Sequence, residues 1–262
     1  MKTSEIENLY DHWYKKDDEG DFERIQSGWR KLAAFYKAKN IAKYFNPKNN
    51  LEILDIGGGM GEVSEILHEQ FSYPKITLVE ISQDAVLLAN SKTAIKKAFQ
   101  FDGYYIPLPD RSIDFGFATH VLEHVPDPRR FLQEIHRVCK KVFIEVPIDF
   151  SENIPTAHLL SYGHVNVFSP SVARFLIESE GFKIDKEYPS NSQRKYHSKF
   201  YNHFYIMKNR LNIFTKSKFF LKHFLSKIKR ILLKSYPSEY CFLITPNDEF
   251  EIVSLVDKQR KL

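Results

Sequence analysis

Residues 51–67, LEILDIGGGMGEVSEIL, run from a short apolar stretch through a cluster of glycines into a helix-forming segment. Gly57, Gly58, Gly59 and Gly61 fall within five positions. A buried strand that ends in such a turn and feeds a helix lets backbone approach a ligand closely, and this unit opens a doubly wound α/β sheet. The alternation continues downstream, with apolar runs at 75–80 (KITLVE), around 99–101, at 113–119 (IDFGFAT) and at 141–148 (KVFIEVPI). Helical patterns separate them at 61–70, after the N-cap candidate Ser82, and at 127–138, where Phe131, Leu132, Ile135 and Val138 share one face. A helix closed by Gly181 precedes FKIDKEY, which pairs with the distant YCFLITP as the edge of the sheet.

The expected fold is therefore α/β, a doubly wound, mostly parallel seven-stranded sheet of the Rossmann-like kind. Its core would comprise 46–189 and 238–250, with N-terminal helices in 1–45 and a basic helical insert at 190–237 before the last strand. At 262 residues and 43% hydrophobic content the chain can bury one sizeable core with an added module. Cys139 and Cys241 lie in apolar segments without metal-ligand spacing and read as buried thiols, so no metal is expected. The N-terminus carries acids early and has no apolar signal core, and no apolar run reaches the length of a membrane span, so a cytoplasmic protein is expected.

Charge is polarised along the chain. Between Tyr188 and Ser238 there are 12 Lys and Arg and no acid, which leaves 38 − 12 = 26 bases against 33 acids elsewhere. Within this segment Leu221, Phe224, Leu225, Ile228, Ile231 and Leu232 follow helical spacing beside a Lys-rich face. Residues 216–234 would form a lid, a homodimer contact or a membrane-surface helix. Steering of an anionic substrate is the other use of such charge. No nucleic-acid motif accompanies it, and nucleic acid ranks last among the partners.

The glycine pattern chooses between ligands. A dinucleotide fingerprint starting at Gly57 would need a third glycine where Glu62 stands, and an acid there opposes a pyrophosphate. The pattern present is D-x-G-x-G-x-G, from Asp55 through Gly57 and Gly59 to Gly61. It suits a ligand with an amino-acid tail: Asp55 can meet an ammonium and the loop amides a carboxylate. Glu80 ends the second strand, 19 residues after Gly61, where a carboxylate can accept two ribose hydroxyls. Asp102 ends the third strand, placed to accept from an adenine amine.

With these residues the chain resembles the class I S-adenosylmethionine-dependent methyltransferases of small-molecule type. LEILDIGGGMGEVS resembles their first motif and LVEIS their acidic second-strand motif. FQFDGYYIPLPDRSIDFGFATHVLEHVPDPRRFLQEIHRVCK and GHVNVFSPSVARFLIESEGF are similar to their later segments. The resemblance implies S-adenosyl-L-methionine as cofactor and S-adenosyl-L-homocysteine as product. It implies that Asp55, Gly57 and Gly59 line the methionine portion, that Glu80 holds the ribose, that Ile81 packs on adenine, and that Asp102 and Gly103 bind the adenine rim. Tyr104 is bulkier than usual at its position and would alter that rim. His120 would stand beside the sulfonium, and an N-terminal leader would bring Tyr10, Trp13 and Arg30 over the cofactor.

Methyl transfer needs alignment and, for a hydroxyl acceptor, a proton acceptor. Histidine suits that role near neutral pH. His120 and His164 are the catalytic candidates, while His124, Asp149 and Tyr162 are substrate-binding candidates. Each has a structural alternative: His124 as a hydrogen-bonder at a helix start, His164 as a loop brace, Asp149 as a solvated acid. The expected reaction is O-methylation of a small, anionic or nucleotide-linked precursor of a bacterial surface glycan. Alternatives are a lipid-like acceptor such as a quinone precursor at a membrane surface, and a binding module without turnover.

Overall fold

The computed structural model describes residues 20–47, 50–148, 156–161, 163–190 and 239–248. Within them the elements run α1 (Gly20–Tyr44), β1 (Ile53–Ile56), α2 (Glu62–Phe71), β2 (Ile76–Glu80), α3 (Gln83–Asn90), β3 (Ile95–Gln100) and β4 (Phe115–Thr119). A 3-10 turn (Leu122–His124), α4 (Pro128–Val138), β5 (Val142–Pro147), α5 (Thr156–Ser161), α6 (Pro170–Ser179), β6 (Phe182–Ser190) and β7 (Glu239–Pro246) follow. The seven strands form one sheet in the order β3-β2-β1-β4-β5-β7-β6. Every pairing from β3 to β5 is parallel, and β7 is antiparallel to both β5 and β6.

Side chains alternate across the sheet with the strand period of two. Ile53, Phe115, Phe117, Phe143, Cys241 and Leu243 point to one face, where Ala34, Ala38 and Ile41 of α1 and Leu67 of α2 cover them. The alanines, four residues apart on α1, let that helix come close to the aromatic strand residues. Leu54, Ala118, Ile144, Val146 and Phe242 point to the other face, under Phe131, Leu132 and Ile135 of α4 and Ile177 of α6. Both free cysteines are buried, and burial pushes both thiols above their ordinary pKa.

Local signals fix the helix starts. The Ser82 hydroxyl accepts from the Ala85 amide at 3.2 Å, Asp127 from Arg130 at 3.1 Å, and Ser169 from Val172 at 3.2 Å. Pro128 and Pro170 follow two of these caps, where a missing N–H costs nothing. The expected third strand around 99–101 begins earlier, at Ile95. Its lysines at 96 and 97 are exposed, since β3 is an edge strand, and they mask the apolar signal. The insert at 190–237, with its membrane, dimer or lid helix, lies almost wholly outside the described residues. Among the described residues no helix is long and apolar enough to cross a membrane.

Candidate active site

The carboxyl ends of β1, β2, β3 and β4 build the site. After Ile56 the chain turns through Gly57, Gly59 and Gly61 at φ of 69°, 55° and 78°. Glycine enters this left-handed region without the steric cost of a Cβ. Gly57 is constrained twice, because a Cβ there would stand 2.8 Å from a Val121 methyl. The glycine loop is thus pressed against the turn that follows β4. The Gly57 amide donates to the Val79 carbonyl at 2.8 Å and ties the loop to β2.

Glu80 is almost fully buried at the tip of β2. One carboxylate oxygen accepts from the Gly59 amide at 2.9 Å, the other from the amides of Ile81 at 2.9 Å and Ser82 at 3.1 Å. An anion is thereby fixed beside the loop by three backbone dipoles. Ile81, half-buried, follows it directly.

Asp55 lies beneath the loop rather than on it. It is 2% exposed and accepts from the Ser64 hydroxyl at 2.7 Å. Burial pushes its carboxyl up to about 7, with Glu80 adding repulsion, against the hydrogen bond from Ser64 and the charge of Lys37. The sign of the linkage follows. The folded state holds a proton that the unfolded chain gives up near pH 4, so the contribution to stability is full below pH 4 and is lost as pH rises to about 7. Denaturant titrations between pH 4 and 7 should show that decline, and Asp55→Asn should flatten it; an unchanged slope would reject the assignment.

Asp102 is exposed after β3. Its desolvation, which would raise the carboxyl, is outweighed by the amides of Tyr104 and Tyr105 at 2.8 and 2.7 Å, which hold it below its ordinary range. Gly103 makes the turn at φ 85°. The Tyr104 ring sits under the guanidinium of Arg130, 4.6 Å from the ring centre.

The turn after β4 carries the densest polar cluster. His120 has a left-handed φ of 58°, held by its amide's bond to the Glu145 carbonyl at 2.9 Å. Non-glycine residues in this region are uncommon and concentrate where function imposes them. Its ring nitrogens lie 3.5 Å from Glu123 and 3.2 Å from Glu145, both acids fully buried. Asn40 of α1 donates to Glu145 at 2.5 Å and the Cys241 thiol at 3.3 Å. Burial alone would raise the Glu145 carboxyl, but the neighbouring His120, Asn40 and Lys37 hold it below the usual carboxylate range. The His124 ring meets the His164 ring edge-on at 4.9 Å, and burial lowers the His124 pKa.

Asp55, Gly57, Gly59, Glu80 and Ile81 thus meet at one loop, Asp102 and Gly103 at the next strand end, and His120, His124 and His164 in one cluster. Arg30 of α1 lies 3.7 Å from Glu62, the first residue of α2, with a buried Nε that makes no hydrogen bond among the described residues. Tyr10, Trp13, Asp149 and Tyr162 lie outside the described residues. Glu123, Glu145 and Asn40 belong to the cluster and are not among the expected site residues. A lone acid inside the apolar run VFIEVP, on a strand buried on both faces, is the signal that marks Glu145.

The sheet order, the glycine turn after β1 and the acid closing β2 define a class I methyltransferase fold. Residues 54–142 match the family model described as a methyltransferase domain, so the chain carries a methyltransferase domain. A ubiquinone/menaquinone biosynthesis C-methyltransferase of Rickettsia bellii is 27% identical over 116 residues, 40% of this chain and 47% of that protein. The chain therefore spans about half the length of the curated relatives it matches. Among solved structures, a Haloferax volcanii methyltransferase in complex with the Trm112 activator superposes with a TM-score of 0.64 at 14% identity, covering 94% of this chain and 99% of that one. Haemonchus contortus phosphoethanolamine N-methyltransferase 2, in complex with S-adenosyl-L-methionine, gives 0.61 at 16% identity, covering 81% and 52%. These two likenesses are of fold.

Proposed function

We propose that the protein is a methyltransferase that takes its methyl group from S-adenosyl-L-methionine and places it on a small polar acceptor. One observation carries this reading: the buried Glu80 carboxylate grips the Gly59 amide of the glycine loop, and that loop touches, through Val121, the turn bearing the histidine and glutamate cluster. A nucleoside cradle and a group of titratable side chains thus share one sheet edge. The left-handed glycines leave no Cβ in the cradle, and the anion at the tip of β2 suits a neutral diol. Both features fit the cofactor.

Bound there, S-adenosyl-L-methionine supplies an activated methyl group and leaves as S-adenosyl-L-homocysteine. Gly57 and Gly59, with Asp55 supporting them from beneath, form the wall for its amino-acid portion, Glu80 accepts from the ribose, and Ile81, Asp102 and Gly103 border the adenine. His120 stands at the sulfonium end, with Tyr10, Trp13 and Arg30 as the closing leader. His164 accepts the proton of a hydroxyl acceptor, His120 being the other candidate, and His124, Asp149 and Tyr162 hold the acceptor.

The polar cluster favours an acceptor with a titratable oxygen, and the basic segment 190–237 favours an anionic one. A nucleotide-linked or phosphorylated glycan precursor meets both conditions. A second reading, a quinone precursor at a membrane surface, rests on the relative from Rickettsia bellii. Incubation of the full chain with methyl-labelled S-adenosyl-L-methionine and both acceptor classes tests them. Label on the oxygen of a nucleotide-linked sugar supports the first reading, and label on a quinol ring carbon replaces it with the second. Absence of S-adenosyl-L-homocysteine binding by calorimetry would remove both.

A further inference from the structure

Glu123 is fully buried, and among the described residues neither of its carboxylate oxygens has a hydrogen-bond partner. A carboxylate taken out of water without hydrogen bonds is strongly disfavoured unless a cation compensates it. Among the described residues, ring nitrogens of His120 at 3.5 Å and His124 at 3.6 Å stand beside these oxygens without making a hydrogen bond to either. The His124 Nδ1 lies 3.1 Å from the Gly163 carbonyl, which can only accept, so Nδ1 carries a proton and Nε2 is the nitrogen on the Glu123 side. That nitrogen lies 3.6 Å from Glu123 Oε1.

The spacing of these two ligand-type atoms is what an ion between them would require. Ligand atoms about 2.1 Å from a tetrahedral ion stand about 3.4 Å apart, close to the 3.6 Å here. His164 supplies a third nitrogen: ligand atoms of Glu123, His124 and His164 all lie within 4.8 Å of one another. The backbone holds the three together. The Glu123 carbonyl accepts the amides of Val165 at 2.8 Å and Asn166 at 3.0 Å, and the Asn166 side chain donates to the carbonyls of Leu122 and Val125. The bond from His124 to Gly163 is the kind of outer contact that orients a metal-bound imidazole.

The geometry points to a divalent metal site formed by Glu123, His124 and His164. Two imidazoles and one carboxylate select a first-row transition ion such as zinc, manganese or cobalt over calcium, which takes oxygen ligands. Three protein ligands leave a position open, and an oxygen bound there has its proton affinity lowered. In the reaction proposed above, on which this role rests though the site itself does not, that oxygen belongs to the acceptor. The acceptor class narrows accordingly to molecules with a metal-coordinating hydroxyl or phosphoryl oxygen. His164 would then act through the ion rather than as the free proton acceptor.

Cobalt(II) titrated into the metal-stripped full chain should give a visible d–d band that saturates at one ion per chain and is displaced by zinc. Glu123→Gln and His164→Ala should each weaken cobalt binding about tenfold or more. Calorimetry with S-adenosyl-L-homocysteine, run on the same samples, should show unchanged affinity in His164→Ala, which establishes that this variant is folded. Should Glu123→Gln fail to fold, His164→Ala alone decides. Absence of a cobalt band in the parent chain, or undiminished binding in folded His164→Ala, would overturn the site. Loss of S-adenosyl-L-homocysteine binding in the parent chain would instead count against the methyltransferase reading and leave the metal result standing.

Discussion

Glu80→Ala is expected to lower affinity for S-adenosyl-L-homocysteine about tenfold or more, because deleting an acceptor that leaves polar partners unpaired typically costs about 1–3 kcal/mol. The same carboxylate accepts the amides of Gly59, Ile81 and Ser82, so its removal also frees the glycine loop from the tip of β2. Two effects are therefore mixed, and a second variant separates them. Glu80→Gln keeps one carbonyl oxygen and the side-chain volume but loses the charge. If ribose recognition needs the anion, Gln should bind nearly as poorly as Ala while melting closer to the parent chain. Parent-like affinity in a folded Glu80→Ala protein would dismiss Glu80 as the ribose acceptor.

Much of this architecture is legible in the sequence because burial on both faces forces strands into continuous apolar runs. LEILDI, ITLVE, FGFAT and VFIEVP need no tertiary information to be recognised. The caps at Ser82, Asp127 and Ser169 are equally local. What escapes is whatever depends on the neighbours that folding supplies. Lys96 and Lys97 hide the first half of β3, since an edge strand keeps polar side chains wherever solvent reaches it. Glu123 reads as one more charge in HVLEHV, and only the fold brings the Val165 and Asn166 amides to its carbonyl and removes its side chain from water. Asp55 is legible as a site residue, yet its position beneath the loop, held by the Ser64 hydroxyl, and the burial that raises its pKa against that hydrogen bond come only with the packing of α2.

The same distinction governs His120, whose replacement by Phe is expected to destabilise the protein by about 1–3 kcal/mol, the usual cost of leaving buried polar groups without a partner. His120 stands between two fully buried carboxylates, 3.5 Å from Glu123 and 3.2 Å from Glu145. Phe fills the space without a ring nitrogen, so both acids lose the polar group that faces them. Asn40 and Cys241 still donate to Glu145, but Glu123 has no such support. The loss should therefore be only partly recovered when Glu145→Gln is added, because that change removes one of the two facing charges and leaves the other. Chemical denaturation of both proteins with EDTA present, which keeps any metal ion from substituting for the imidazole, reads the difference directly. If His120→Phe alone costs less than about 1 kcal/mol, the surface-pair range, then His120 does not hold the two carboxylates in place. Its left-handed backbone would then have to be explained by the turn alone.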